Sequence, residues 1–421
     1  MTKDVSFMES RVVLHSDLNN CYASIECMLD PSLRGKRIAV CGSTEERHGI
    51  VLAKNQEAKK FGVKTGMAIW QAKQACPNLT IVSPHMDQYM KFSRIVRAIY
   101  KRYSPEVEAF GIDESWIEMT GSALLRKKSG EEIANEIRET VKSEVGLTVS
   151  VGVSFNKIFA KLGSDMKKPD AVTCIPKECF QEIVWPLPVE DLLYVGRATT
   201  QKLNRYCIRT IGDLARMDVK ALDHMLGKNG IMLWGFANGL DNSRVMPCEY
   251  TPPVKSVGHG ITCMADLESL DEVRLVFMQL SQEIGLKLRK HGLAAQAVQI
   301  GVRDNELNYA GYQCKLPYPT QSYTEIWQAG NQLFQDKHYW KNNIRSLTIR
   351  AIDLVPASDS VQLDLWSDYK QHERHTVIER TVEDIRRRYG DGIINYAVLT
   401  QNIKLPGIIS DEHQMPSLMY R

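Results

Sequence analysis

At 421 residues the chain exceeds what one hydrophobic core supports, since single cores stop growing near about 250–300 residues, so several domains are expected. With 43% hydrophobic and 24% charged residues and no apolar run long enough to span a bilayer, composition excludes disordered, fibrous and membrane-spanning helical classes. A formal net charge of +3 neither requires nor excludes a nucleic-acid partner, which leaves that question to local patches.

The opening stretch M-T-K-D-V-S-F-M-E-S has no signal-peptide core, and the ten cysteines include no C-x-x-C pair and no Cys/His zinc spacing. A cytoplasmic protein with reduced, mostly buried thiols is expected. Residues 11–16 read as a short buried strand that delivers Asp17 at its C-terminal end, followed by a turn into a helix through Glu26. Strands at 37–41 and 50–53, helices at 55–61 and 66–75, and an amphipathic helix at 87–103 come next. Then two β-like arms, 107–112 and 115–119, flank Asp113 and Glu114. Adjacent strand residues point to opposite faces, so a tight turn between the arms is expected to carry both carboxylates to one end of a hairpin. That pair is either a solvated acidic turn or a site where cations offset the repulsion. Asp17 closing one strand and the acid pair closing a hairpin can meet at one sheet edge. Three carboxylates plus a backbone carbonyl suit hard Mg²⁺, two ions of which serve in-line phosphoryl transfer.

A helix over 131–145, with Ile133, Ile137, Val141 and Val145 on one stripe and Gly146 as its stop, precedes a strand over 147–153. The order gives an α+β sheet with helices on one face, compatible with a ferredoxin-like βαββαβ unit. Residues 177–245 read as all-helical. Within them D-L-L-Y-V-G-R-A-T-T at 191–200 looks like a helix-hairpin-helix, whose backbone N–H groups would hold a DNA phosphate; an ordinary αα-hairpin remains open. Tyr194 stands where that motif usually has glycine. The proline-rich stretch 245–254 reads as a linker. Beyond it a β-α-β-α-β order is expected: strand 255–262, helix 269–291, strand 297–303, helix 323–336, strand 346–354. Lys255, His259, Arg303 and Arg350 on or beside these strands are phosphate-facing candidates or simply a solvated face. After a small polar exit at 357–360 comes Q-L-D-L-W at 362–366, and 376–389 reads as an amphipathic helix with Ile378, Val382, Ile385 and Tyr389 on its stripe.

Five ordered motifs carry a family resemblance: D-L-N-N-C-Y-A-S-I-E at 17–26, L-A-K-N-Q-E-A-K-K-F-G-V at 52–63, G-I-D-E-S at 111–115, S-V-G-V-S-F-N-K-I-F-A-K-L at 150–162 and D-M-K-K-P at 165–169. Over about residues 11–357 the chain resembles the Y-family, lesion-bypass DNA polymerases, and the bacterial UmuC-like (ImpB/MucB/SamB) branch more than the DinB-like one. The resemblance implies an α+β multidomain fold. A ferredoxin-like palm would take residues 1–28 and 88–176, with small fingers at 29–87 inserted in it. A helical thumb with the helix-hairpin-helix would occupy 177–245 and a linker 246–253. A C-terminal α/β little-finger domain is expected at 254–357 and a tail at 358–421.

The same resemblance implies a template-dependent, error-tolerant, low-processivity DNA polymerase. Asp17, Asp113 and Glu114, with the Leu18 carbonyl, would hold two Mg²⁺, with Mn²⁺ as an alternative. Tyr22 would be the steric gate against ribonucleotides. Asn20, Cys21, Tyr22, Lys59 and Lys168 would bind the dNTP; Lys157 and Lys161 either assist or are surface lysines. Gln56 and Lys59 stand where many members have tyrosine and arginine, a departure shared by UmuC-like members. Val195, Gly196, Arg197, Lys255, Arg303 and Arg350 would touch primer–template DNA. Gln362, Leu363, Leu365 and Trp366 match the bacterial sliding-clamp-binding pattern, and SOS accessory proteins are further candidate partners. The readings to be separated from a polymerase are a catalytically silent DNA- and clamp-binding scaffold and a nucleotide cyclase on a similar palm.

Overall fold

The computed structural model describes residues 11–43, 47, 49–359, 369–390, 392–400 and 404–405. They form two compact units. Among the described residues, one holds 11–41 and Val51–Pro252; the other holds those of Gly42–Ile50 and those from 253 to 405.

The first unit is built on β1 (Val13–Leu18), α1 (Cys21–Leu29), β2 (Ile38–Cys41), β3 (Val51–Lys54), α2 (Gln56–Lys60), α3 (Ile69–Ala75), β4 (Thr80–Val82), α4 (Met86–Tyr100), β5 (Val107–Ala109), β6 (Glu114–Glu118), α5 (Gly130–Val145), β7 (Val149–Ser154), α6 (Lys157–Met166) and β8 (Val172–Ile175). The main sheet runs β5-β6-β1-β7-β8. Its first four strands are antiparallel in the ferredoxin-like order, and β8 adds a parallel edge to β7. Local signals explain α5 well. Ser129 caps it in a reciprocal box with Glu132, Gly146 ends it in the left-handed region (φ 77°), and Ile133, Ile137, Val141 and Val145 are buried.

Expecting helices on one face only is corrected here. α1, α4 and α5 share one core with Leu14, Ile117 and Val151, whereas Ala160 of α6 packs on the opposite face against Val13 and Trp116. α6 escapes a simple stripe rule because it is covered on two sides: Ile158, Phe159 and Leu162 turn to the helical region that follows. Strand alternation then sorts β1, with Leu14, Ser16 and Leu18 toward one face and Val13, His15 and Asp17 toward α6.

Gly152 sets how closely α6 can approach. A Cβ there would fall on the Ala160 carbonyl oxygen and within 2.5 Å of the Ser164 backbone nitrogen. Gly152→Ala is expected to cost about 3 kcal/mol or to prevent folding, because backbone on both sides cannot yield as a flexible side chain would. Chemical denaturation compared with Gly146→Ala checks this; an unchanged midpoint for Gly152→Ala would show that α6 can shift freely.

A small second sheet, β3-β2-β4, packs on α2 and α3 around Ala39, Val51, Ala58 and Leu79. β4, three residues long, is too short to stand out in the sequence. After β8 come α7 (Phe180–Val184), α8 (Arg197–Arg205), α9 (Ile211–Ala215), α10 (Val219–Leu226) and α11 (Lys228–Ala237), packed around Phe159, Leu203, Leu214 and Leu233. Tyr194 takes the left-handed conformation (φ 69°) that glycine supplies in a helix-hairpin-helix, so the missing glycine does not abolish that turn.

The second unit contains β9 (Val257–Leu267), α12 (Leu270–His291), β10 (Leu293–Asp304), β11 (Tyr309–Thr320), α13 (Tyr323–Lys337), β12 (Ile344–Pro356) and α14 (Tyr369–Tyr389), with sheet order β11-β10-β12-β9. β11 is absent from the expected order. It is an edge strand whose outward residues Tyr309, Gly311, Gln313, Lys315 and Pro317 are exposed, and their polar, proline-containing mix hides the alternating inward Tyr312, Cys314 and Leu316.

α14 begins seven residues before the expected start, and its expected apolar stripe is not what it buries. Ile378 and Tyr389 are exposed, while Glu379 is 2% exposed. The Glu379 carboxylate accepts hydrogen bonds from Ser322 Oγ (2.6 Å) and the Tyr323 and Thr324 N–H groups (both 3.0 Å), capping α13, and pairs with Arg289. The helix is docked by polar contacts that hydropathy cannot register. Residues 362–366, expected to bind a clamp, lie outside the described residues.

Candidate active site

β1 and β6 lie side by side with Asp17 directly opposite Glu114. Like charges in that register repel, and α6 answers them. Lys161 Nζ stands 2.8 Å from Glu114 Oε2 and 3.8 Å from Asp17 Oδ2, and Lys168, just past the helix, is 2.7 Å from Asp17 Oδ2. Both lysines also reach Asp165, at 3.3 and 2.8 Å. The tight turn expected over Asp113–Glu114 is corrected. The reversal occupies residues 110–113, closed by the Phe110 N–H donating to the Glu114 carbonyl (3.0 Å), and Glu114 is already the first residue of β6. Asp113 is nevertheless brought to the same end of the sheet, its carbonyl accepting the Leu18 N–H at 3.0 Å.

Electrostatics separate the three acids. Burial raises Asp17 to about 7, with Lys168 opposing and Glu114 adding to the rise. Burial and then Glu114 also raise Asp113. Burial pulls Glu114 upward too, but hydrogen bonding toward His15 and the charge of Lys161 outweigh it and hold it low. Burial opposes the charged form of Lys168, yet Asp17 keeps its ammonium well above the usual range.

These acids open on a cavity of about 380 Å³ whose walls include Asp17, Asn20, Cys21, Tyr22, Asp113, Glu114, Lys54, Gln56, Lys59 and Lys168. Asn20 caps α1 in the left-handed region (φ 50°), and Cys21 is buried. Tyr22 is half-buried, its ring stacked on Tyr89 at 4.2 Å and 8°. Tyr89 in turn donates to the buried Glu26, which His85 also approaches at 3.0 Å. Sequence reasoning missed Tyr89, Glu26 and Lys54. The one available signal for Lys54 is its place at the end of β3, two residues after Leu52, which also lines the cavity. Lys161, left open between helper and surface lysine, belongs to the carboxylate cluster. Lys157 does not: it is buried against Glu108 (2.7 Å) and Trp116.

The donor set fits divalent cations. Two carboxylates raised by burial and repulsion gain from a nearby positive charge, and all the oxygens are hard ligands. Among the described residues no three acidic, histidine or cysteine side chains already converge as a ready cage. Ligands brought by a substrate, such as phosphate oxygens, would therefore have to complete the coordination.

The other expected contacts scatter. Gly196 caps α8, with Val195 buried and Arg197 exposed. In the second unit Lys255, Arg303 and Arg350 are exposed. Arg303 and Arg350 sit on alternate rows of one sheet face, since Arg350 pairs with Gln299 and Arg303 with Ser346. His259 is removed from the phosphate-facing set, because it turns to Glu283 on α12. Among the described residues no helix is long and apolar enough to cross a membrane.

Comparison with known proteins is extensive. The impB/mucB/samB family matches residues 16–165, its C-terminal domain matches residues 254–365, and a thumb domain described as that of DNA polymerase-iota matches residues 190–241. A protein of Acetivibrio thermocellus named DNA polymerase IV is 47% identical over 93% of this chain and 98% of its own length. DNA polymerase IV 1 of Bacillus subtilis is 36% identical over 92% of each. Among solved structures, a Y-family DNA polymerase chimera superposes with a TM-score of 0.73 at 22% identity, over 82% of this chain and 99% of the chimera.

Proposed function

The chain belongs to the impB/mucB/samB family of Y-family DNA polymerases, and from that membership we propose how its own residues perform the reaction. It is a DNA-directed DNA polymerase of the translesion type, extending a primer 3′ end on a template with dNTPs. A silent scaffold is not favoured. The observation that carries the residue-level reading is the meeting, in one cavity, of three carboxylates, a stacked tyrosine and three lysines.

Asp17, Asp113, Glu114 and the Leu18 carbonyl would hold two divalent ions, with Mg²⁺ as the ordinary occupant. When bound, the ions lower the pKa of the primer hydroxyl and offset charge on the triphosphate and the leaving pyrophosphate. Lys54, Lys59 and Lys168 face the triphosphate as point charges. Lys168 begins on Asp17 and Asp165 and can exchange those partners for phosphate oxygens. Tyr22 lies beneath the sugar, so a 2′-hydroxyl meets a ring that cannot recede. Residues 11–28 and 88–176 form the palm in this reading, 29–87 the fingers, 177–245 the thumb and 254–357 the little finger. Arg197, Lys255, Arg303 and Arg350 contribute phosphate contacts. Single-nucleotide primer extension with Mg²⁺ tests it: template-directed addition is expected, pyrophosphate release without a primer would indicate cyclase chemistry, and DNA binding without addition a scaffold.

Residues 362–366 are proposed to anchor a bacterial sliding clamp, with Leu365 and Trp366 as apolar anchors and Gln362 setting register. Replacing Leu365 and Trp366 with alanine is expected to leave unassisted extension intact and to remove clamp stimulation. Each lost anchor costs about 2 kcal/mol, and tethering is what raises the effective concentration at the primer end. Extension with and without loaded clamp at one salt concentration checks it; equal stimulation of both proteins would refute the assignment.

A further inference from the structure

Lys168 serves the triphosphate only if its side chain swings away from Asp17 and Asp165 while its backbone stays in place. Yet residues 167–170 are a short loop between α6 and β8, and loops are ordinarily the mobile parts of a fold. Here the loop is tied at its far end. The Asp170 N–H donates to Asn19 Oδ1 at 2.8 Å. The Asp170 carboxylate accepts from two residues of α5, Arg138 Nη1 at 2.7 Å on Oδ1 and Lys142 Nζ at 2.8 Å on Oδ2. The next residue, Ala171, accepts the Val151 N–H of β7 at 2.9 Å. Asp170 keeps a left-handed backbone (φ 54°), uncommon for a residue with a Cβ, and these bonds fix it there.

Asn19 is 5% exposed and follows Leu18 at the end of β1. Its own N–H donates to the Thr148 carbonyl at 2.9 Å, which holds its backbone to the start of β7. A backbone N–H can only donate, so the contact with Asp170 fixes the side-chain amide with Oδ1 toward the loop. Nδ2 then donates to Ser150 Oγ on β7 at 2.9 Å. Asn19 borders the cavity, but each end of its amide already has a protein partner. We propose that Asn19 and Asp170 are positioning residues for Lys168. Together they clamp the loop between the end of β1 and α5, so that only the ammonium moves when it passes from the carboxylates to the triphosphate. The clamp works because its members are held by separate elements. Asn19 is fixed by the sheet, and the Asp170 carboxylate by two cations whose hydrogen bonds are the strong, charge-assisted kind.

This role rests on Lys168 serving the triphosphate, so the experiment separates the two. Asn19→Ala, Asp170→Ala, Asp170→Asn and Lys168→Ala, and each alanine change combined with Lys168→Ala, are compared with the unchanged protein. Single-nucleotide extension gives kcat and KM for the dNTP separately. Binding of dNTP to the complex with a 3′-dideoxy primer, where no bond can form, gives the Kd, and thermal melting controls for folding. Asn19→Ala and Asp170→Ala are expected to raise KM and Kd about 10-fold, the size of one misplaced charge-assisted contact, with kcat within about three-fold. Asp170→Asn tolerates the left-handed backbone and keeps an oxygen for Arg138, so it recovers Kd to within about three-fold. In the Lys168→Ala background either alanine change is expected to add less than about two-fold, because residues that act through one lysine are not additive. Unchanged Kd in both Asn19→Ala and Asp170→Ala overturns the proposal. So does a full product of the separate factors in the combined variants, which is what a general loosening of the fold gives. Unchanged Kd in Lys168→Ala overturns the assignment of that lysine to the triphosphate instead. If Asn19→Ala does not fold, Asp170→Ala and its combination with Lys168→Ala decide.

Discussion

Asp113→Ala is expected to lower kcat for nucleotide addition by about 10³-fold or more while primer–template affinity stays within a few-fold. Lys161 and Lys168 stand within ion-pair distance of Glu114 and Asp17, whereas Asp113, raised by burial and by its neighbour, has no such direct ion pair among the described residues. Like Asp17, it is a carboxylate whose charged form gains from a cation arriving with the substrate. Losing an oxygen ligand worth several kcal/mol of charge stabilisation gives a rate effect of that size. DNA affinity is spread over phosphate contacts elsewhere in the chain and has little reason to change. The fold should survive. A carboxyl whose folded pKa lies above its unfolded value opposes folding as pH rises past the unfolded value, so at neutral pH the variant should melt no lower than the parent. Rapid-quench extension and melting at pH 7.5 check both halves; extension near the parent rate would remove Asp113 from the ion-binding set.

Tyr22→Ala should raise the ratio of kcat/KM for ribonucleotides over deoxyribonucleotides on the order of 10²-fold, with dNTP use nearly unchanged. A 2′-hydroxyl driven against a rigid ring costs about 3 kcal/mol, and removing the ring returns that factor. Rigidity is the important term, and the neighbours supply it. Tyr22 lies flat on Tyr89, whose hydroxyl is tied to Glu26 in the core, so the ring has nowhere to retreat. Tyr22→Phe should keep ribonucleotides out, because the ring and not its hydroxyl makes the clash. Matched rNTP and dNTP titrations on one primer–template decide it. If exclusion persists in Tyr22→Ala, the gate lies elsewhere on the cavity wall.

Local sequence determined a good deal by itself. The ferredoxin-like order, the capping of α5 by Gly146, the helical region around Leu203 and the long α12 all follow from periodicity, caps and breakers, which act over three or four residues. Asp17 could be placed at the end of a strand for the same reason. Tertiary structure alone decided the pairings across long separations. Glu114 became a strand residue facing Asp17, 97 positions away by number, because β1 adds beside β6 in one register. Lys161 became part of the cluster because Gly152 lets α6 lie close to the sheet, and nothing in F-A-K-L separates it from a solvated lysine. Tyr89 came beneath Tyr22 only when α4 crossed α1. α14 buries a glutamate rather than its isoleucine because the Tyr323 and Thr324 N–H groups at the start of α13, which the Ser322 cap does not reach, and Arg289 meet a carboxylate there. Hydropathy measures what each residue loses by leaving water; it carries no record of which distant donor or charge will meet it on the other side.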